Sequence, residues 1–366
     1  MSKKIKIIIV AGGTGGHVFP GINLAKHLIN KSFYEVNLIT DKRGQRYLNN
    51  SQNIQTSILP SSPFKTKNLL VKLFSIIHII YSILRSLIHL ILKKPSIIFG
   101  MGGYASFPIC IAASLLRINF VIYENNLVVG KANKYLLPFT KKILISNDEL
   151  EGIPSKFQNK IYKIGNIIKT EILNSSNLKK KIVDDKKLNL LILGGSQAAK
   201  AFAELLPHIF KKCYDQGIKL KIYQHCLTSQ NDNLKRFYKK NNIESEIFNF
   251  SYNLEKYFLQ TNLAITRSGS SMLAELTNAK LPFISVPLPS SADDHQLKNA
   301  LYYQRKKLAM MIEEKELDSK LANVIKDIYM NRSILDEILQ NQRQFSDKNV
   351  YKNIDHALEE MIDEKN

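Results

Sequence analysis

Residues 11–21 read Ala11-Gly12-Gly13-Thr14-Gly15-Gly16-His17-Val18-Phe19-Pro20-Gly21 and follow directly on the apolar run Ile5-Lys6-Ile7-Ile8-Ile9-Val10. An amphipathic segment comes next, so the chain opens as strand, glycine turn and helix. Such a turn points backbone N–H groups at an anion. Glycine lets the backbone approach a ligand closely, and the helix N-terminus behind it carries roughly half a positive charge. His17 sets this loop apart. A phosphate cradle needs no imidazole at the helix start, whereas an enzyme that activates a hydroxyl beside a diphosphate does; the alternative is an ordinary polar residue in a first helical turn.

Two familiar glycine motifs do not fit. A Walker A loop requires a lysine after its glycines, and none follows here; the dinucleotide fingerprint Gly-x-Gly-x-x-Gly, counted from Gly13, meets Val18 at its third glycine. Asp41 follows a strand predicted over 36–40 and keeps a nicotinamide-binding reading open.

The 366 residues suit two domains of ordinary size, and 45% hydrophobic with 23% charged residues is a globular composition. Cys110, Cys213 and Cys226 show neither metal-ligand spacing nor even pairing, which fits a reducing compartment. The first apolar run is only a strand long, so no signal peptide is expected and the protein reads as cytosolic. The net charge of +21 is unaccompanied by any helix-turn-helix, zinc-finger or aromatic RNA-binding signature. It therefore reads as part compositional bias and part a surface suited to acidic partners, with no nucleic acid among them.

The most apolar stretch runs from Leu69 to Leu92, flanked by Lys65, Lys67, Lys93 and Lys94. Lys72 and Arg85 interrupt it and leave too few uncharged residues between them for the ~20 of a spanning helix. Lys72, Ser75, His78, Ser82, Arg85 and His89 recur at intervals of three or four, marking one polar stripe on an otherwise apolar helix. Two readings stand: a crossover helix buried against a sheet, or a partly exposed helix that dips into an anionic membrane surface.

A second glycine cluster, Gly100-Met101-Gly102-Gly103-Tyr104, follows a predicted strand over 96–99 and precedes a helix expected over 108–116. A strand over 120–123 then runs into Glu124-Asn125-Asn126, polar groups at the end of the sheet where open α/β folds bind ligands. Residues 150–187 lose the pattern and read as a linker. The opening architecture then recurs: a strand over 188–193, the turn Gly194-Gly195-Ser196-Gln197, and a helix over 198–213. The expected fold class is α/β, with two Rossmann-like, doubly wound domains facing a central cleft. Further on, a strand over 263–266 leads into Arg267-Ser268-Gly269-Ser270-Ser271, and the helix after it carries Glu275, placed to accept two hydrogen bonds from a ribose diol. After a strand over 282–286, Asp293-Asp294-His295-Gln296 opens another helix, and Gln296 is a candidate sugar ligand. No Asp-x-Asp pair occurs, so a metal-bridged diphosphate is not indicated.

The segments GGTGGHVFPG (12–21), GMGGYAS (100–106), YENN (123–126), GGSQA (194–198), RSGSSMLAE (267–275) and DDHQLKNA (293–300) occur in this order. Together they resemble glycosyltransferase family 28, specifically its enzymes that add GlcNAc to a lipid-linked muramyl pentapeptide. The resemblance implies the GT-B fold, with an acceptor and membrane domain over 1–165, a UDP-GlcNAc domain over 166–345, and a last helix in 346–366 returning to the first domain. It implies inverting transfer from UDP-GlcNAc to the 4-hydroxyl of MurNAc-pentapeptide on undecaprenyl diphosphate, lipid I to lipid II, with no cofactor and no metal. His17 becomes the favoured base, kept neutral by its helix N-terminus, with Glu124 the alternative. Thr14, Gly15 and Gly16 would face a diphosphate, and Asn126 the donor sugar. Gly102, Gly103 and Tyr104 would form an acceptor loop. Lys169, Ser196, Ser251, Ser270, Ser271 and Met272 would hold the donor, with Glu275 on the ribose and Gln296 on GlcNAc. The implied location is peripheral, on the cytoplasmic face of the plasma membrane, held by the helix from Leu69 to Leu92, with other wall-synthesis proteins as candidate partners. Other GT-B transferases, UDP-GlcNAc epimerases, or a basic binding protein with a vestigial nucleotide fold are the competing readings; the intact His17, Glu124 and Glu275 argue against the last. Three departures from the family pattern stand out. Tyr123 replaces a histidine before the acid, Lys169 stands where an arginine would offer a bidentate fork, and the helix from Leu69 to Leu92 is unusually apolar.

Overall fold

The computed structural model describes residues 4–48, 53–62, 68–174, 186–251 and 253–363, with the side chains of 196–199 outside the described part. The chain divides into two compact units, Met1–Lys169 with Asp347–Asn366, and Thr170–Ser346.

In the first unit, runs of Ile and Val such as Ile7-Ile8-Ile9-Val10 are buried on both faces, as a central parallel strand requires. The strands are β1 (Ile5–Val10), β2 (Tyr34–Thr40), β3 (Gln55–Ile58), β4 (Ile97–Gly100), β5 (Asn119–Glu124), β6 (Lys142–Ile145) and β7 (Ile161–Lys163), all parallel in the order β3-β2-β1-β4-β5-β6-β7. Helices α1 (Gly15–Ile29), α2 (Leu69–Lys93), α3 (Gly103–Leu115) and α4 (Lys131–Leu136) connect them. From β1 the chain builds outward to β3, then crosses back to place β4 on the other side of β1. The topological switch point therefore lies between β1 and β4, whose carboxyl ends carry the two glycine loops.

Three expectations need correcting. The third helix begins at Gly103, not at 108, and keeps Pro108 inside it at the cost of one backbone hydrogen bond. The presumed linker carries β7, and Ile164, Ile167 and Ile168 behind it are fully buried; a three-residue strand between lysines gives no alternation to read. The polar stripe of α2 is divided. Ser75 and Ser82, with Ser86, face inward, whereas Lys72, His78 and Arg85 are exposed, as are Leu73, Phe74, Ile77, Ile80, Leu84, Ile88 and Ile91. Each inward serine hydroxyl bonds the carbonyl four residues back, at 2.8 Å to Val71, 2.8 Å to His78 and 2.7 Å to Ser82. Small, internally satisfied side chains let α2 lie close against α3.

The second unit repeats the plan with α5 (Thr170–Leu173), β8 (Leu188–Leu193), α6 (Gly195–Asp215), β9 (Leu220–His225), α7 (Asn231–Lys240), β10 (Glu244–Phe248), α8 (Glu255–Phe258), β11 (Leu263–Arg267), α9 (Ser270–Asn278), β12 (Phe283–Val286), α10 (His295–Arg305), β13 (Met310–Met311), α11 (Leu317–Met330) and α12 (Ser333–Gln344). Its parallel order, β10-β9-β8-β11-β12-β13, puts the switch point between β8 and β11.

Helix α13 (Val350–Asp363) belongs to the first unit. The buried Asp347 carboxylate accepts the Asn166 backbone N–H at 2.8 Å and its Nδ2 at 3.1 Å, Tyr351 donates to the Ile168 carbonyl at 2.6 Å, and Asp355 meets His27 and Lys31 of the α1 region.

One carboxylate shapes the first glycine loop. Asp41, 2% exposed, accepts the Gly13 N–H (2.9 Å) and Gly44 N–H (2.8 Å) on Oδ1, and Arg43 Nε (3.0 Å), Arg43 Nη2 (2.8 Å) and the Ser61 hydroxyl (2.9 Å) on Oδ2. With both oxygens consumed, it has nothing to offer a ribose diol, which removes the nicotinamide-binding reading. Burial alone would raise its pKa, but the donors from Gly13, Arg43, Gly44 and Ser61 outweigh it and hold the carboxyl below its ordinary value. A lowered folded-state pKa contributes stability that is present above the unfolded value, about 3.9, and is lost as pH falls through the folded one. Asp41→Asn is expected to cost about 1–3 kcal/mol at pH 7, read as a lowered urea midpoint. The gap to the wild type should close as pH is taken below about 4; a gap independent of pH would contradict this account.

Candidate active site

His17 lies in the first turn of α1 with Nδ1 3.0 Å from the carbonyl oxygen of Met101, just beyond β4. A carbonyl only accepts, so Nδ1 carries the hydrogen. In the neutral ring Nε2 is then the unprotonated, basic nitrogen. The loop after β4 presses on the same ring. Gly102 and Gly103 have φ of +86° and +73°, and a Cβ at either would come 3.0–3.1 Å from imidazole carbons of His17. Only glycine both adopts these angles and leaves this space.

The end of β5 is tied to the same place. Pro20 has no N–H to give the Gly16 carbonyl four residues earlier, and Asn125 Nδ2 donates to that carbonyl at 3.2 Å. Glu124, 3% exposed, accepts four N–H groups: Asn126 N (3.2 Å) and Nδ2 (3.0 Å) on Oε1, Gly130 N (2.9 Å) and Asn133 Nδ2 (2.9 Å) on Oε2. A carboxylate so engaged folds the loop over residues 124–133 and aims the Asn126 amide. Thr14 and Gly16 are exposed at the loop crest, Gly15 is half-buried, and Tyr104 stands 37% exposed in the first turn of α3. Thus Thr14 to His17, Gly102 to Tyr104 and Glu124 to Asn126 gather at the carboxyl ends of β1, β4 and β5. Tyr123, the departure from the family pattern, is buried; its hydroxyl accepts the Ile167 N–H at 3.1 Å and donates to the Gly165 carbonyl at 3.5 Å. Burial pushes that hydroxyl far above its ordinary pKa. It braces the segment leading to the half-buried Lys169.

In the second unit the candidates again follow strand ends. Gly194 caps α6 directly after β8; the Ser196 side chain lies outside the described part. Ser270, Ser271 and Met272 form the first turn of α9 after β11, with Gly269 as its N-cap and Glu275 a further turn along. Ser251 follows β10 and its hydroxyl accepts the Asn253 N–H at 3.2 Å. Gln296 opens α10, and its Oε1 accepts the Leu288 N–H at 3.0 Å, so the amide nitrogen is the end it presents. Arg267 is turned inward, paired with Glu314, 3.3 Å from the Pro287 carbonyl and over the Phe202 ring. Among the described residues no three His, Cys, Asp or Glu side chains are grouped to hold a metal ion.

Sequence reasoning missed Asn133 and the Met101 carbonyl, and named Asn125 without its bond to the Gly16 carbonyl. Asn133 sits in α4, nine residues from the carboxylate it bonds, and a backbone carbonyl leaves no sequence signal at all. The gap at Gly16 was readable, since a proline inside a helix leaves the carbonyl four residues before it without its N–H partner.

The models for the glycosyltransferase family 28 N-terminal and C-terminal domains match residues 7–145 and 189–356. The UDP-N-acetylglucosamine–N-acetylmuramyl-(pentapeptide) pyrophosphoryl-undecaprenol N-acetylglucosamine transferase of Pelagibacter ubique is 33% identical over 98% of this chain and 99% of its own. The protein of the same name from Rickettsia felis is 35% identical over 92% and 94%. Among solved structures, Acinetobacter baumannii MurG matches with a TM-score of 0.77 at 25% identity, covering 98% of this chain and 99% of that one. The S. aureus MnaA–UDP structure, at 0.69 and 13% over 98% and 97%, shares the fold. The chain belongs to glycosyltransferase family 28, a transferase built of two Rossmann-like domains.

Proposed function

We propose that this protein transfers GlcNAc from UDP-GlcNAc to the 4-hydroxyl of MurNAc-pentapeptide on undecaprenyl diphosphate, converting lipid I to lipid II with inversion at the anomeric carbon. The first unit takes the acceptor and the second the nucleotide sugar. The observation that carries the mechanism is the bond from His17 Nδ1 to the Met101 carbonyl. Nε2 takes the proton of the acceptor hydroxyl as its oxygen attacks the anomeric carbon opposite UDP, and the carbonyl stays bonded to Nδ1–H while the ring is charged. Thr14, Gly15 and Gly16 receive a diphosphate, Gly102 to Tyr104 the acceptor, and Asn126 the donor sugar. Ser196, Ser251, the 270–275 turn and Lys169 hold UDP, with Glu275 on the ribose and Gln296 on GlcNAc; UDP leaves on helix N-termini without a metal. Glu124 is a positioning residue, because each of its oxygens already accepts two N–H groups.

The enzyme works at the cytoplasmic face of the plasma membrane, seated through α2. What supports this is the outward apolar face of α2 with Lys72, His78 and Arg85 exposed among it. α2 is long and apolar enough by composition to cross a bilayer, but its serine face is taken by α3, which favours lying in the membrane surface.

UDP release with a short-chain lipid I analogue tests the assignment of roles. His17→Ala should lower kcat by about 10²-fold or more, with the KM for UDP-GlcNAc nearly unchanged. Glu124→Gln should lower the melting temperature and raise that KM while leaving the acid limb of the pH–rate profile in place; loss of that limb would make Glu124 the base. For the membrane, the double variant Phe74→Lys, Ile77→Lys should fail to float with liposomes containing anionic lipid. Undiminished flotation would remove α2 from this role.

A further inference from the structure

The first glycine loop has a cation fixed beside it that the mechanism above leaves unused. Arg43 follows β2 and lays its guanidinium along Gly13: a Cβ built there, at φ +82°, would come 3.5 Å from Arg43 Nη2 and 3.8 Å from Cζ. The side chain is 46% exposed, yet it is not loose. Its Nε and Nη2 both bond Asp41 Oδ2, at 3.0 and 2.8 Å, while Oδ1 of the same carboxylate holds the Gly13 N–H at 2.9 Å. One buried carboxylate therefore fixes the loop and the cation in a single frame. A guanidinium has five N–H donors in a plane. Two are spent on Asp41, and the outer edge keeps two, one on Nη1 and one on Nη2. An ion pair of zero net charge has little long-range pull; what this one supplies is a planar donor edge whose freedom is already restricted, the geometry that fits two phosphoryl oxygens at once.

We propose that Arg43 is a binding residue for the diphosphate of the lipid-linked acceptor, with Asp41 its positioning residue. This rests on the assignment of the acceptor to the first unit. The donor also carries a diphosphate, and the test separates the two.

Initial rates with a short-chain lipid I analogue are compared for wild type, Arg43→Ala, Arg43→Lys and Lys42→Ala, the last removing the same charge from the neighbouring exposed position. A short-chain polyprenyl diphosphate, which carries the phosphates without the sugar, serves as competitive inhibitor. Arg43→Ala should lower kcat/KM for the acceptor about 10- to 100-fold, the loss of one or two charge-assisted hydrogen bonds. It should raise the inhibitor's Ki by a similar factor and leave the KM for UDP-GlcNAc unchanged. Arg43→Lys should recover only part of the loss, because it keeps the charge without the fork. Lys42→Ala should behave as wild type. The proposal is overturned if acceptor kcat/KM is unaffected, if it falls while Ki does not, if the KM for UDP-GlcNAc rises instead, if Lys42→Ala is equally damaged, or if the polyprenyl diphosphate fails to inhibit the wild type. His17→Ala, run alongside, keeps the two readings apart. Full activity in that variant would overturn the assignment of acceptor and base to the first unit, whereas its inactivity with a normal Arg43→Ala would overturn Arg43 alone.

Discussion

The hydrogen bond from the His17 imidazole to the Met101 carbonyl joins the two glycine loops of the first unit, and most of the site's geometry follows from what that bond requires. It can form only because β1 and β4 are neighbours although β2, β3 and α2 separate them in the chain. A parallel sheet that reverses its building direction at one point leaves two strand ends side by side with their helices diverging, and a side chain from one helix start can reach the backbone of the other loop there. The approach is close enough that residues 102 and 103 must lack side chains. The glycines of the second motif are thus explained by the histidine of the first, as much as by any ligand.

The loops of this unit share a second device. Asp41, Glu124 and Asp347 are all nearly inaccessible, and each accepts backbone N–H groups from a loop it folds: Gly13 and Gly44, Asn126 and Gly130, Asn166. Burying a carboxylate is costly unless its lone pairs are filled, and irregular loops are where backbone donors go unfilled. Each cost offsets the other. In a chain with 52 Lys and Arg against 31 Asp and Glu, these acids act on the backbone more than on the basic side chains. Arg43 is the exception, and its carboxylate holds a loop as well.

The architecture was legible because its signals are local and repeated: a buried aliphatic run, glycines, then an amphipathic helix, once from Ile5 and again from Leu188. The ends of elements were less so. α3 begins five residues before the position that Pro108 would mark as a first turn, since the two glycines already complete the reversal, and β7 is too short to alternate. Of the candidate site, the residue types were readable but their division of labour was not. Whether an acid such as Glu124 is a base or a fold element depends on donors at Gly130 and Asn133, which only the folded loop brings to it. Asp41 likewise leaves a nicotinamide-binding reading open in the sequence, and only the folded loop takes up both its oxygens.

Helix α2 shows why periodicity finds a face without saying what covers it. The spacing of Lys72, Ser75, His78, Ser82, Arg85 and His89 marks a polar stripe that the usual rule would turn to water; folding divides it and leaves only Lys72, His78 and Arg85 exposed. The helix does the reverse with its serines. A serine that bonds the carbonyl four residues back has no hydroxyl left to hydrate, so burying it costs little, and its size lets α3 come near. Leu, Ile and Phe on the outside have no such remedy, and in water alone the sorting would run uphill by the transfer free energy of every exposed side chain. A sequence that fills the outward positions with large apolar groups and the inward ones with small satisfied ones follows the packing rules of helices surrounded by lipid. This sorting of side chains is what the proposed seating of α2 in a membrane surface rests on.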